Sequence, residues 1–486
     1  MTERLEDERI QRVVEEYFQY VTLSHVWGRK EPLFQDVTLA GSIWELDSSP
    51  GSEKLRKFCE VVRDDGYRWA WCDASCIDKT ISTVLNQSLK MMYKWYEASA
   101  ATFVHLWDVV SPSALGDLTD SVWMTRAWTG QELLAATVIR FYNRDWQPYL
   151  GDSRSNHKES PEIMQELADA IKISRETIIS FNPDDLSVRE KLRLASTRNA
   201  TVEEDVAYSL IGIFKSDIRP DYGEGYAAVG HLLEEIVARS GEVTVLDWTG
   251  NSSPYNSCLP DTLVVYRQPP STSPAIEDGD MAAGVTTLRT SLSRRDAMLA
   301  YDRITRLPPA RFANRRLHLP CIVFPVKKLS FQDFGQDHEF RYGARVSEIG
   351  IVEFQTADRL SPSEARKLVF VHPWIRDLRD PLDGLTWRSA VDDDEDEDEN
   401  KADPEARTDS APSSPLHVVR AAMMDDYTRV LRLLVRLQQP FRVLLLQQQP
   451  NGEFKRVATE HELIVPGIGH QIDFVKDILA DVVEIL

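Results

Sequence analysis

Trp128 and Glu132 stand four residues apart in the run Arg126-Ala127-Trp128-Thr129-Gly130-Gln131-Glu132. On a helix that spacing puts both on one face and holds a carboxylate beside a large aromatic surface. Such a pair can do chemistry. The carboxylate stabilises positive charge that develops on a bound group, and the aromatic ring stacks and keeps water out. The plain alternative is that Glu132 pairs with Arg126 or caps a local backbone group. Two other sets of polar residues come earlier: Ser24, His25, Trp27 and Gly28, then Asp73, Cys76 and Asp78. Asp73 and Asp78 suit contacts to a ligand in a cleft, but more readily helix capping and pairing with Lys79 or Arg126. Ser24 and Gly28 could meet a phosphate, although one glycine is far short of a glycine-rich loop. Trp27, Trp71 and Trp128 are of the type that fills cores as well as the type that stacks on ligands.

The elements that must position these residues are legible in the hydrophobic pattern. Residues 20–26 (YVTLSHV) predict a strand that ends in Trp27-Gly28. Residues 53–63 place Leu55, Phe58, Cys59 and Val62 at helical spacing. Residues 69–77 (WAWCDASCI) read as a buried parallel strand. Residues 85–98 put Leu85, Leu89, Met92 and Tyr96 on one helical face. A strand at 101–107, the helix carrying Glu132 and a strand at 138–142 complete the alternation. This is the grammar of an α/β fold with a parallel sheet. Ligands of such sheets bind beyond the carboxyl ends of the strands. Ser24, Trp27, Gly28, Asp73, Asp78 and Asp108 fall there, and Glu132 is expected to face an open crevice at that rim.

Downstream, 161–181 reads as one helix and 187–240 as three, with Thr201 and Glu204 as a capping box for the middle one. Tyr222-Gly223-Glu224-Gly225 is a turn. Residues 250–290 are rich in Pro, Ser, Thr and Asn, and β-type runs follow at 317–326 and 350–355. Residues 391–416 are acidic, then rich in Ser and Pro, and cannot bury a core. Beyond them 441–447 and 454–465 flank Pro450-Asn451-Gly452, a hairpin signal. The expected plan is an extension at 1–17, the α/β domain at 18–150, a helical extension at 151–250 and a β-rich C-terminal domain at 251–390. A disordered acidic insertion occupies 391–416, and 417–486 is the remainder of the C-terminal domain.

Composition narrows the function. At 486 residues the chain exceeds one ordinary core. Hydrophobic residues at 42% and charged residues at 27% place it in the globular class. No apolar run approaches the ~20 residues of a membrane span, and the polar, acidic start MTERLEDERI is unlike a signal peptide. Five cysteines, few and odd in number, fit a reducing, cytoplasmic setting. The net charge is −21, of which the acidic tract 392–399 supplies eight. A body this acidic disfavours nucleic acid. Cys72, Cys76, His25 and His105 suggest zinc, but a strand over 69–77 would hold the two cysteines ~13 Å apart. That is too far for one ion with bonds of ~2.3 Å, so no metal is expected.

Taken together, Ser24/His25/Trp27/Gly28, then Trp71/Asp73/Cys76/Ile77/Asp78, then Arg126/Trp128/Thr129/Gln131/Glu132 resemble the fungal heterokaryon-incompatibility domain, the HET domain. The resemblance covers roughly 18–150 and extends to about 248, where Glu204-Asp205, Ala207-Tyr208-Ser209 and 222–225 look like its helical continuation. It implies a part in fungal non-self recognition and regulated cell death. Gly130 stands where the family usually has leucine, and Arg219-Pro220-Asp221 where an apolar run usually precedes the turn. In the order of its elements and in this helix the chain more distantly resembles the TIR domain, which implies a TIR/flavodoxin-like parallel sheet; the matching TIR helix carries Trp-Cys-x-x-Glu, and here Thr129 replaces the cysteine. Several TIR domains cleave NAD with that glutamate. This implies Glu132 as the catalytic carboxylate, with Ser24, Trp27, Gly28, Asp73, Asp78, Arg126 and Trp128 contacting NAD as a substrate rather than a resident cofactor. The chemistry is self-consistent, because nicotinamide leaves as a cation-derived neutral and only the oxocarbenium-like ribose needs stabilising. The resemblance further implies self-association through the HET domain and a separate protein trigger. The rival expectation is a non-enzymatic module that recruits a death effector.

Overall fold

The structure is a computed structural model that describes residues 13–14, 16–268, 276–334, 340–346, 349–374, 426–465 and 478–486. The acidic insertion at 391–416 and residues 1–12 of the N-terminal extension lie outside the described residues.

The N-terminal unit is built on four parallel strands. They are β1 (Tyr20–His25), β2 (Trp69–Trp71), β3 (Ala101–His105) and β4 (Ile139–Tyr142), in the spatial order β2-β1-β3-β4. β1 pairs with β3 from Val21↔Ala101 to His25↔His105, and β3 with β4 from Thr102↔Ile139 to His105↔Tyr142. β1 and β3 are buried along nearly their whole length, which is why they read as continuous apolar runs rather than alternating ones. The chain goes from β1 to one edge and then crosses back to β3. The crevice of such a sheet opens where that reversal occurs, between the carboxyl ends of β1 and β3.

Helices α1 (Phe34–Ala40), α2 (Pro50–Asp64), α3 (Asp73–Cys76), α4 (Ser82–Ala98) and α5 (Ala127–Ala135) make the crossovers. α2 begins with Ser49 capping the Ser52 amide and Pro50 in the first turn. Its Leu55, Phe58 and Val62 cover one face of the sheet, with Phe58 edge-on to Phe103 at 6.3 Å. α4 buries Leu89, Met92, Tyr93 and Tyr96 against the other face.

The strand expected over 69–77 stops at Trp71, and Asp73–Cys76 is a helical turn. β2 has a neighbour on one side only, and Trp69 and Ala70 are exposed. With ladder bonds to β1 alone, the chain leaves the sheet where an aspartate can occupy a helical first turn.

The helical extension contains α6 (Pro161–Ile171), α7 (Val188–Ala195) and α8 (Ala227–Ser240), with shorter helices between them. The expected helix 161–181 is two pieces, because Lys172 turns left-handed (φ 57°) and a second helix runs from Arg175 to Ile179. The capping box forms at Ser187/Glu190, not at Thr201/Glu204. The Glu204 carboxylate instead accepts the Gly223 and Gly225 amides at 2.7 and 3.0 Å, so it is spent on fixing the turn at 222–225. Helices at Asp205–Tyr208 and Ile211–Phe214 replace the single middle helix.

The C-terminal part is strand-rich, as expected, with nine strands in one sheet among the described residues. They are β5 (Arg311–Ala313), β6 (Arg316–Phe334), β7 (Phe340–Val346), β8 (Gly350–Thr356), β9 (Leu368–Pro373), β10 (Phe441–Gln448), β11 (Phe454–Arg456), β12 (Leu463–Val465) and β13 (Ala480–Ile485). β10 and β11 pair antiparallel across the Pro450-Asn451-Gly452 turn. Two helices at Asp278–Ser291 and Arg294–Thr305, unanticipated in the polar composition of that region, pack with a third at Asp426–Leu437. Arg456 ties this sheet to the helical extension. Its guanidinium donates to the Leu246 and Trp248 carbonyls at 2.9 and 2.7 Å and lies 3.7 Å above the Trp248 ring.

Gly212 shows how tightly the helical extension seats on the N-terminal unit: a methyl group there would run into Cβ of Tyr93 on α4. Gly212→Ala should cost about 1–3 kcal/mol through overpacking, read as a lowered urea midpoint. An unchanged midpoint would show that this contact is loose.

Candidate functional site

The expected site residues gather at the carboxyl rim of the parallel sheet but divide between two clusters. Ser24 is the penultimate residue of β1 and is fully buried. Its hydroxyl donates to an oxygen of the Glu132 carboxyl group and accepts from Trp123 Nε1 at 2.8 Å. The Tyr96 hydroxyl, which donates to the Leu23 carbonyl at 3.0 Å, also meets Glu132. Glu132 is only 6% exposed. The expectation of an open crevice beside it is therefore not met. Two open clefts of about 640 and 720 Å³ lie elsewhere, one along Lys30–Ser52 and one along Leu115–Arg175, and Glu132 lines neither. A cavity of about 20 Å³ near Gly130 and Arg198 also excludes it.

Burial pushes the Glu132 carboxyl up to about 8, and the negative charge of Asp73 adds to this against the opposing Ser24 hydrogen bond. At neutral pH it is a carboxylic acid, not a carboxylate. Arg198 does not neutralise it by direct pairing. The Arg198 guanidinium donates to the Arg126 carbonyl and Thr129 Oγ1, both at 2.9 Å, and burial lowers it to about 10. Gly130 is what admits this side chain, since a Cβ there would sit 3.0 Å from Arg198 Nε.

Trp128 and Arg126 are turned toward the helical extension. Trp128 bonds to Asp205 and Arg126 donates to Thr201 Oγ1 at 3.1 Å. The indole that reaches the Ser24 end is thus Trp123, which the sequence reading missed. Trp123 sits in a helix of four residues, too short for periodicity to reveal. Tyr96 was visible, but only as one member of an apolar helical face.

The second cluster surrounds Asp73. Trp27 Nε1 donates to Asp73 Oδ1 at 3.3 Å, and Lys79 Nζ lies 3.2 Å from Oδ2 while covering the Trp27 ring at 3.7 Å. His25 Nε2 is 3.4 Å from Asp73 Oδ1 and 3.7 Å from Cys72 Sγ. Burial works against the Asp73 charge, but the His25 hydrogen bond and the Lys79 ammonium outweigh it and hold the carboxyl well below the usual range. Lys54 Nζ reaches His25 Nδ1 at 2.6 Å and Glu31 at 2.5 Å. The Gly28 amide donates to Glu31 at 2.6 Å, so it is not free to meet a phosphate. Asp78 accepts from Gln35 at 2.6 Å and from the Thr80 amide at 3.0 Å, apart from both clusters. The ground for expecting no metal also falls. Cys72 and Cys76 flank a helical turn, with the Cys72 amide 3.5 Å from Cys76 Sγ, instead of lying along a strand.

Residues 20–115 match the family model described as heterokaryon incompatibility protein (HET). The N-terminal α/β unit therefore carries a match to the HET domain, which supports the heterokaryon-incompatibility resemblance read from its motifs. Over 230 residues the chain is 32% identical to vegetative incompatibility protein HET-E-1 of Podospora anserina. That match covers 45% of this chain but only 16% of the relative. No solved structure matches. Glu132 and its helix lie beyond the stretch matched by the family model.

The buried acid has a measurable consequence. The folded state keeps the Glu132 proton to about pH 8, whereas the unfolded chain releases it near 4.5. Between those values the folded state binds more protons, so stability falls as pH rises, by about 1.4 kcal/mol per unit at most. Glu132→Gln removes the penalty. Urea midpoints should be similar for the two proteins near pH 5, with the variant the more stable near pH 9. Equal midpoints at both pH values would contradict a raised Glu132.

Proposed function

We propose that this chain acts in heterokaryon incompatibility, in fungal non-self recognition and the regulated cell death that follows it. We further propose that in the conformation described its HET domain works by binding other protein chains, not by catalysis. The observation that carries this is the closure of Glu132: its carboxyl is 6% exposed and held by Ser24, and that burial favours the protonated form over the carboxylate a ribose cation needs. The surface supports the same reading. Trp27, Trp44, Trp69 and Trp107 of this unit are 41%, 51%, 45% and 50% exposed. Tryptophan is the side chain most enriched where protein partners bind tightly. Self-association through the HET domain, a separate protein trigger and a cytoplasmic setting belong to this reading. Among the described residues no helix is long and apolar enough to cross a membrane.

A second reading is favoured by position. Glu132 and Ser24 stand beside the crossover reversal of the sheet, where ligands of such folds bind. Movement of α5 on self-association would expose and ionise Glu132 and make it the carboxylate of an NAD glycohydrolase, resembling the TIR enzymes.

Purified full chain incubated with NAD, both dilute and under crowding or forced oligomerisation, separates the readings. The binding-module reading expects no nicotinamide release in either condition. Release on oligomerisation that Glu132→Gln abolishes would replace it with the gated enzyme. Release that survives Glu132→Gln would place catalysis at another residue.

A further inference from the structure

At the carboxyl ends of two neighbouring parallel strands stand His25, the last residue of β1, and Cys72 and Asp73, which follow β2. Their donor atoms converge. His25 Nε2 lies 3.7 Å from Cys72 Sγ and 3.4 Å from Asp73 Oδ1. One atom from each residue lies within 4.8 Å of the other two. Ligands of a tetrahedral zinc ion, with bonds of ~2.0 Å to nitrogen or oxygen and ~2.3 Å to sulfur, stand ~3.3–3.7 Å apart. The spacings from the imidazole are those of such a ligand set without any rearrangement of the backbone.

We infer that His25, Cys72 and Asp73 form a zinc site at the carboxyl rim of the parallel sheet, with a fourth position left to water. The donor set selects the ion. One thiolate, one imidazole and one carboxylate suit zinc, whereas magnesium and calcium call for oxygen alone. The site is held by rigid parts: His25 by its ladder with His105 on β3, and Cys72 and Asp73 by the turn into α3. Access runs through Asp73, whose side chain is 18% exposed beneath Trp27.

The proton balance is defined. Lys54 donates to His25 Nδ1, which puts the ring hydrogen on Nε2. On binding zinc that hydrogen passes to Nδ1, and Lys54 keeps its other partners, Glu31 and the Val26 carbonyl. The Cys72 thiol gives up its proton to solvent, and Asp73, ion-paired with Lys79, binds as a carboxylate. Each zinc therefore releases one proton. Lys54 and Lys79 oppose the ion by their charge, and the two anionic ligands offset them.

The inference is independent of whether Glu132 is catalytic. It is tested on the full chain, loaded with zinc, dialysed into metal-free buffer and measured for metal content. One equivalent of zinc should remain, and cobalt in its place should give a thiolate-to-cobalt charge-transfer absorption. Cys72→Ser should lose both, and Asp73→Asn should weaken binding roughly tenfold or more. Cys76→Ser should keep both, because Cys76 is outside the ligand set. Absence of zinc and of the cobalt absorption in the unaltered protein would overturn the site, whatever the variants do. Retention of metal by a folded Cys72→Ser protein, or its loss from folded Cys76→Ser, would overturn it as well.

Discussion

The hydrogen-bond chain from Trp123 through Ser24 to Glu132 is the constraint on which the N-terminal unit turns. It ties α5 to the end of β1 inside the protein, through a group that water would otherwise solvate. Leaving a buried carboxyl unpaired costs several kcal/mol, and leaving it charged costs more. The protein meets the first cost with Ser24 and Tyr96 and avoids the second by keeping the proton. Gly130 and Arg198 complete the arrangement, since the missing side chain lets a guanidinium lie along α5 and bind the Arg126 carbonyl.

The rim outside this chain is organised on a different principle. Around Asp73 the charges are paired and the carboxyl stays ionised, although its neighbour Cys72 is buried. Two acidic groups at the same rim of the sheet thus favour opposite protonation states. Glu132 faces hydroxyls and an indole chain, whereas Asp73 faces Lys79 and His25. The exposed Trp27 bridges from the second cluster to solvent, and Asp73 is the more accessible of these two acids.

Much of the frame was legible in the sequence. The apolar runs at 20–26, 101–107 and 138–142 became β1, β3 and β4, and the helical faces of Phe58 and Tyr96 became the two covers of the sheet. The rim position of Ser24, Trp27 and Asp73 followed from those strands. The rest was not legible for identifiable reasons. A run such as WAWCDASCI does not show where an edge strand gives way to a helical turn, because the deciding factor is the missing neighbour on one side. The pairing of Ser24 with Glu132 spans 108 residues and leaves no local signature. Nor could spacing alone show that Trp128 turns to Asp205 while Trp123 serves Ser24.

The closed state of Glu132 is the central claim, and its own titration tests it most directly. Carbon-13 NMR of glutamate-labelled protein, with the Glu132 carboxyl assigned by comparison with Glu132→Gln, follows that single group. The account predicts a carboxyl still protonated at neutral pH that titrates near 8. A Glu132 signal that titrates near 4.5, as an exposed glutamate does, would contradict it.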